Sequence, residues 1–263
     1  MRHSVHIQRV LAITDALYGF LYDRLNVSEL KFPRDIERII LYGLEVPIVR
    51  KPNLTLHVAA QYLCVLRGES PKGRGNISDR ELYGLLHVGP PCNIIFIRED
   101  LPDHIRNYVL AHELGHFLAD VFLIQQLWLK TLPEQKETIE RVFSWQEYDA
   151  FLEFCGLIKG LPNRPKAIVG RGNALAPETT EREIQADLIA RELLAPWDAV
   201  SALFRPNKHR EFIALLREQF GLPLKIAAYY YDDLERALSP KPDMIERLFS
   251  SFFYPAPPTA SKK

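Results

Sequence analysis

Two histidines lie four residues apart in the segment Ala111-His112-Glu113-Leu114-Gly115-His116, and a glutamate directly follows the first. Apolar residues recur at spacings of three and four between Asp103 and Phe122, which predicts an α-helix through this segment. One helical turn separates His112 from His116, so both imidazoles project from the same face, and Glu113 lies beside them. The pattern therefore predicts a helix that presents two nitrogen ligands and an adjacent carboxylate.

A second helix, predicted from about Thr180 to Leu194, carries Glu183 and Asp187 four residues apart and so on one face. Two imidazoles at this spacing suit a tetrahedral Zn²⁺ ion, and Glu183 would complete a set of three protein ligands. Asp187 would accept a hydrogen bond from a ligand histidine. Three protein ligands leave one position open, which is typical of a catalytic zinc site, and Glu113 is then the predicted catalytic base.

Each of these residues also has a simpler interpretation when it is taken alone. Histidines on a helix face are often satisfied by their neighbours, and two acidic residues four apart often lie on a solvated helix face. The combination of both helices is what favours a metal site.

The segments Tyr108–His116 and Glu183–Pro196 together resemble the ImmA/IrrE metallopeptidase family, which joins an AHELGH helix to an E-x-x-A-[ND]-x-x-A-x-x-L-L-x-P helix. The segment Asn93–Ile97 is similar to the family's strand before the active-site helix, and Gly84 falls where the family has a hairpin glycine. The resemblance spans about residues 45–196. The residues of the second helix that match the family pattern are Glu183, Ala186, Asp187, Ala190, Leu193, Leu194 and Pro196.

This resemblance implies a zinc-dependent endopeptidase of regulatory type, which hydrolyses a peptide bond in a specific protein partner. In this family the partner is often a helix-turn-helix repressor of a mobile-element or stress-response system. The alternative is a zinc-binding interaction module that controls a transcriptional partner by contact, without proteolysis.

We expect an α+β fold: a zincin-like metallopeptidase domain with a small antiparallel sheet packed on the active-site helix, and mostly helices elsewhere. The stretch between His116 and Glu183 is longer than the family leads us to expect, which predicts an insertion. The predicted strands are 45–49, 81–88 and 93–97. The predicted segments are a helical segment 1–44, a catalytic domain 45–200 with an insertion at about 127–178, a helical segment 201–252 and a disordered tail 253–263.

A peptide substrate could extend along the strand at 93–97 if that strand lies at a sheet edge, because an edge offers unpaired backbone groups. Asn93, Ile95 and Ile97 are therefore candidate substrate-binding residues. For the group that stabilises the oxyanion the sequence offers three candidates. They are Tyr108, His209 and the run Tyr229–Tyr231.

The charge balance argues against direct binding to nucleic acid, since 33 Lys and Arg residues face 33 Asp and Glu residues. Leu216–Pro223 is similar to a helix-turn-helix-like segment of the family, but acidic residues soon follow, and packing against the catalytic domain is favoured over contact with DNA.

No apolar run approaches the roughly 18 to 20 residues that cross a bilayer. Three cysteines without a CxxC pair fit a reducing compartment. We therefore expect a cytoplasmic protein with no membrane partner.

Overall fold

The structure, a computed structural model, describes residues 2–25, 31–70, 80–89, 91–144, 177–206 and 208–238. It mixes helices with a small sheet and is mostly helical, which confirms the α+β class. Within the described residues, none of the helices combines the length and apolar character needed to span a bilayer. Most of the predicted insertion, from 145 to 176, and the predicted tail at 253–263 lie outside the described residues.

The helices are α1 (Arg2–Leu25), α2 (Ile36–Arg38), α3 (Leu56–Leu66), α4 (Asp103–Phe117), α5 (Leu123–Thr131), α6 (Lys136–Ser144), α7 (Pro177–Leu194), α8 (Trp197–Leu203), α9 (His209–Phe220) and α10 (Leu224–Leu238). The strands are β1 (Ile48–Lys51), β2 (Gly84–His87) and β3 (Ile94–Arg98). Single π-helical turns, Ile39–Gly43 and Leu118–Phe122, continue α2 and α4, and a 3₁₀ turn, Pro133–Gln135, precedes α6.

The sheet has β3 in its centre, between β1 and β2. β2 pairs with β3 in antiparallel fashion, with Leu86 opposite Ile95, whereas β1 pairs with β3 in parallel, with Ile48 opposite Ile95. The expectation of an antiparallel sheet is therefore wrong for β1, and the sheet is mixed. The physical reason is the long connection through α3 and β2, which gives the chain room to re-enter the sheet in the same direction.

Both faces of β3 are buried. Ile95 and Ile97 point into the large core that surrounds α4, while Ile94 and Phe96 point into a smaller core beneath α3. All four side chains are at most 2% exposed. Burial on both faces explains why this strand reads as an uninterrupted apolar run rather than as an alternating pattern.

One large hydrophobic core joins described residues from α1 to α10. It takes Ile13 and Leu17 from α1 and Leu114 from α4, and α7 packs against both helices. The described part of the predicted insertion contributes Trp128 and Ile139 to the same core. The helix α4 is therefore held on several sides at once.

The helices α9 and α10 form a hairpin that also belongs to this core. Gly221 ends α9 with a φ of 72°, and its amide donates to the carbonyls of Leu216 and Arg217. A glycine suits this left-handed position at the end of a helix. The buried hydroxyl of Tyr230 in α10 donates to the Ala195 carbonyl at 2.9 Å. The hairpin thus packs against the segment directly after α7.

Candidate metal centre

The two helices that carry the predicted ligands, α4 and α7, pack directly against each other. Gly115 makes this approach possible, because a Cβ atom there would lie 2.8 Å from the carbonyl oxygen and 3.0 Å from the Cα of Ala186. Glu183 is less than one helical turn before Ala186, and His116 follows Gly115 directly. The contact between backbones therefore brings the two parts of the site together.

Three side chains converge at this point. The rings of His112 and His116 are 4.9 Å apart between centroids and nearly perpendicular, at 82°. Nε2 of His112 lies 3.3 Å from Oε2 of Glu183, and Nε2 of His116 lies 3.5 Å from Oε1. One ligand atom from each of the three residues can be chosen so that all lie within 4.8 Å of one another.

Two imidazoles and one carboxylate form a donor set that zinc accepts. Zinc bonds of about 2.0–2.1 Å to imidazole nitrogen and carboxylate oxygen place tetrahedral ligand atoms about 3.4 Å apart. The separations of 3.3 Å and 3.5 Å, each to a different oxygen of Glu183, are close to this value, and one atom from each of the three residues lies within 4.8 Å of the others. Glu183 is half exposed, so the centre opens to solvent on one side. Within the described ranges the cluster offers three protein ligands, which leaves room for a further ligand at that side.

Asp187 orients His112 from the side away from this centre. Its Oδ1 lies 2.8 Å from Nδ1 of His112. An ionised carboxylate only accepts hydrogen bonds, so Nδ1 carries the proton and, in the neutral ring, the lone pair lies on Nε2. That lone pair faces Glu183. The hydrogen bond therefore selects the tautomer that a metal ligand requires.

Glu113 occupies the gap between α4 and β2 and is 8% exposed. The backbone of Leu86 in β2 hydrogen-bonds its carboxylate, and a Cβ atom on Gly84 would lie 2.8 Å from its Oε1. Burial raises the pKa of Glu113, and the neighbouring imidazoles oppose that rise without cancelling it. A carboxylate with a raised pKa is a stronger base than an exposed glutamate.

The charged groups of the centre also shift one another. The hydrogen bond from His116 lowers the pKa of Glu183, and this outweighs the effect of burial. Burial lowers the pKa of His112, but the hydrogen bond to Asp187 and the charge of Glu113 outweigh it, so the net shift is upward. Three carboxylates surround two imidazoles, which is an environment that favours a cation.

The outer edge of β2 lies next to Glu113. The Arg98 amide donates to the Tyr83 carbonyl at 2.9 Å, which makes these residues a hydrogen-bonded pair across β2 and β3. In an antiparallel ladder such pairs alternate, so the backbone groups of Gly84 and Leu86 turn away from β3. The edge strand beside the centre is therefore β2. The sequence did not predict that β2 is the edge strand beside Glu113, because the backbone groups that form an edge do not depend on the type of side chain. The sequence clue to this strand was Gly84.

The condition on which a substrate-binding role was predicted for Asn93, Ile95 and Ile97 is not met. That role required an edge strand, and β3 is central. Ile95 and Ile97 are fully buried in the large core, and the amide of Asn93 donates to the Phe143 carbonyl at 3.3 Å. Ile95 and Ile97 therefore contribute to the large core.

The predicted oxyanion candidates differ in their contacts. The Tyr108 hydroxyl donates to Asp187 Oδ1 at 2.9 Å, and that of Tyr230 donates to Ala195. His209 packs against the ring of Tyr231 with centroids 4.6 Å apart, and Tyr229 is 64% exposed. Tyr108 therefore contacts Asp187, the neighbour of the candidate ligand His112.

Comparisons with protein-family models, with curated proteins and with solved structures find no match to this chain. The description of the centre therefore rests on its own geometry. In those terms it is an open site with two histidines and one glutamate as ligands and a buried glutamate beside them.

Proposed function

We propose that this chain is a zinc-dependent endopeptidase of ImmA/IrrE type with a zincin-like catalytic domain. The observation that carries the proposal is the convergence of His112, His116 and Glu183 from two distant helices. The buried carboxylate of Glu113 next to this convergence adds the base that peptide hydrolysis needs. The fit of the ligand spacing to zinc supports the choice of metal.

In the proposed mechanism His112, His116 and Glu183 hold the zinc ion. Zinc, when bound, supplies a Lewis acid that polarises the scissile carbonyl and makes water more acidic. Glu113 takes a proton from the attacking water and passes it to the departing amine. Burial against β2 excludes bulk water from one side of this carboxylate and keeps it close to the reacting groups.

The proposed substrate is an extended segment of a specific protein partner. The Leu86 amide already donates to Glu113, whereas the outward-facing Leu86 carbonyl and the backbone groups of Gly84 offer hydrogen bonds that an extended peptide can use to add a strand to the sheet. Glu113 lies next to this edge, so such a peptide would pass the proposed base. The family resemblance suggests a helix-turn-helix repressor as the partner.

The test combines metal analysis with profiling of cleavage. The purified chain and the variant His116→Ala are analysed for bound zinc after dialysis against zinc at low concentration. The zinc-loaded chain and Glu113→Gln are then incubated with a peptide library made from a digested cell extract, and new peptide ends are counted by mass spectrometry. Glu113→Gln keeps the shape of the side chain but removes the base.

We expect about one zinc per chain for wild type and Glu113→Gln, and little for His116→Ala. New peptide ends should appear with wild type and fall by at least about 100-fold with Glu113→Gln, the scale of general-base catalysis. A wild-type chain without zinc would refute the metal site. Bound zinc without cleavage would instead support the interaction module.

A further inference from the structure

Tyr108 lies one helical turn before His112, on the same face of α4. Its hydroxyl donates to Oδ1 of Asp187 at 2.9 Å, and Nδ1 of His112 approaches the same oxygen at 2.8 Å. Two residues of α4 therefore hold one oxygen atom of a side chain on α7. The tyrosine itself is only 9% exposed.

The Asp187 carboxylate needs this second contact to keep its orientation. Its side chain is 48% exposed, so water competes for its oxygens and the surrounding protein does not enclose it. A single hydrogen bond leaves the carboxylate free to rotate about its χ angles. Two donors on Oδ1, both from the rigid helix α4, restrict that rotation and keep Oδ1 directed at the His112 ring.

We propose that Tyr108 is a positioning residue that acts on the metal centre through Asp187. The hydroxyl fixes the carboxylate, the carboxylate fixes the tautomer and the plane of the His112 ring, and the ring presents Nε2 to the metal. This inference rests on the metal site of the proposed function. It assigns Tyr108 no contact with metal or substrate, and so replaces the oxyanion role considered for this residue.

Zinc affinity in the full chain tests the proposal, with zinc alone as the probe and a chelating dye as the competitor. The variants are Tyr108→Phe, Asp187→Asn and the double variant. Tyr230→Phe is the matched control, because Tyr230 is also buried and its hydroxyl also makes one 2.9 Å hydrogen bond, to the carbonyl of Ala195 directly after α7. Circular dichroism melting curves set a temperature at which every variant is folded.

Partners that orient a ligand histidine are worth about 10- to 100-fold in metal affinity, so Asp187→Asn should weaken zinc binding by that factor. Tyr108→Phe should weaken zinc binding about 3- to 10-fold, because Tyr108 acts on His112 only through Asp187. The double variant should bind no more weakly than Asp187→Asn, because the tyrosine acts through the carboxylate. Tyr230→Phe should bind as wild type does.

Three results of the affinity measurements would overturn the positioning role. They are an unchanged zinc affinity in Tyr108→Phe, effects that add in full in the double variant, and an equal loss of affinity in Tyr230→Phe. The ¹⁵N NMR shifts of the histidine side chains in the zinc-free chain give a second reading. The His112 ring should hold its proton on Nδ1 in wild type and exchange between tautomers in Tyr108→Phe; identical spectra would also overturn the role. A wild-type chain that binds no zinc refutes the proposed function itself, which is a different outcome.

Discussion

Two glycines decide how closely the elements around the metal centre approach. At Gly115 the backbone of Ala186 occupies the space that a side chain would need, and at Gly84 the side chains of Val109 and Glu113 occupy it. A backbone atom cannot rotate away, whereas a side chain can shift to another rotamer. The two positions should therefore respond differently to the same substitution.

We expect Gly115→Ala to destabilise the chain by about 1–3 kcal/mol, the usual cost of overpacking, and to weaken zinc binding by pushing α7 away from α4. The free energy of unfolding in urea and a zinc titration measure the two effects. The control is Gly19→Ala in α1, where the space is open. That substitution should stabilise the chain by about 0.5–1 kcal/mol through helix propensity. A Gly115→Ala variant as stable as wild type would contradict the close approach.

At Gly84 the added methyl group would lie 2.6 Å from Cγ1 of Val109 and 2.8 Å from Oε1 of Glu113. We expect Gly84→Ala to displace the Glu113 carboxylate, lowering the rate of peptide cleavage at least about tenfold because a misplaced base is inefficient. Zinc affinity should change less than twofold, since the three ligands lie on other elements. Wild-type cleavage rates in this variant would show that β2 does not constrain the base.

At the scale of elements, α4 is the part of the molecule on which the rest is assembled. Its C-terminal half carries the candidate ligands His112 and His116, and its N-terminal half holds the chain segment that leads into α2. The side-chain amide of Asn107 donates to the Arg34 carbonyl at 2.9 Å, and its oxygen accepts from the Ile36 amide at 3.3 Å. The Asn107 side chain thus satisfies two backbone groups, one just before α2 and one at its first residue.

We expect Asn107→Ala to lower the free energy of unfolding by about 1–3 kcal/mol, because two partly buried backbone groups lose their partners. Asn107→Asp keeps the acceptor for Ile36 but loses the donor to Arg34, and should fall between wild type and Asn107→Ala. Urea denaturation of the zinc-free chain measures both. A loss below about 0.5 kcal/mol in Asn107→Ala would mean that water replaces these bonds.

For the whole molecule, a network around Arg34 ties α1 and α7 together. Arg34 donates to the Tyr18 hydroxyl and to the Leu193 carbonyl, and Glu192 lies close by and accepts from the Trp197 amide at 3.0 Å. Burial raises the pKa of Glu192, and the hydrogen bond from Trp197 and the charge of Arg34 only partly offset it. The network therefore contains a carboxylate that folding makes harder to ionise.

This shift makes the stability of the chain depend on pH. The folded state retains the Glu192 proton at pH values where the unfolded chain, with an ordinary pKa near 4.5, has lost it. Because the folded state then binds more protons, the free energy of unfolding falls as pH rises from about 4.5 through the folded pKa. We expect Glu192→Gln, which keeps an acceptor for Trp197, to exceed wild type in stability at pH 7 and to equal it near pH 4.

Urea denaturation at pH 4, 5, 6 and 7 measures this difference. Glu218→Gln on the exposed surface of α9 controls for the loss of one negative charge. A gap between Glu192→Gln and wild type that stays constant with pH would contradict the raised pKa.

Zinc should stabilise the folded chain, because its ligands come together only when α4 packs on α7. Free zinc at 100 times its dissociation constant should raise the free energy of unfolding by about 2.7 kcal/mol. Thermal denaturation with and without a chelator measures the effect, and His116→Ala should show little of it. An equal response in that variant would place the zinc elsewhere.

Several features followed from local sequence. The helix predicted from about Thr180 to Leu194 is observed as α7, which begins at Pro177, and spacing alone placed His112 and His116 on one face. The segment Leu56–Leu66 received no prediction although it forms α3. Apolar residues lie on nearly every side of α3, and only some of them pack into the small core between α3 and the sheet. The sequence therefore has no clear amphipathic stripe that would predict a helix there.

Other features were decided only by the tertiary structure. The central place of β3, the parallel pairing of β1, the outward-facing edge of β2 beside Glu113 and the shared oxygen between Tyr108, Asp187 and His112 all join segments far apart in the chain. Sequence determined which side chains share a helix face, because that depends on a regular repeat between near neighbours. Which faces meet depends on how the whole core packs, and no local repeat encodes that.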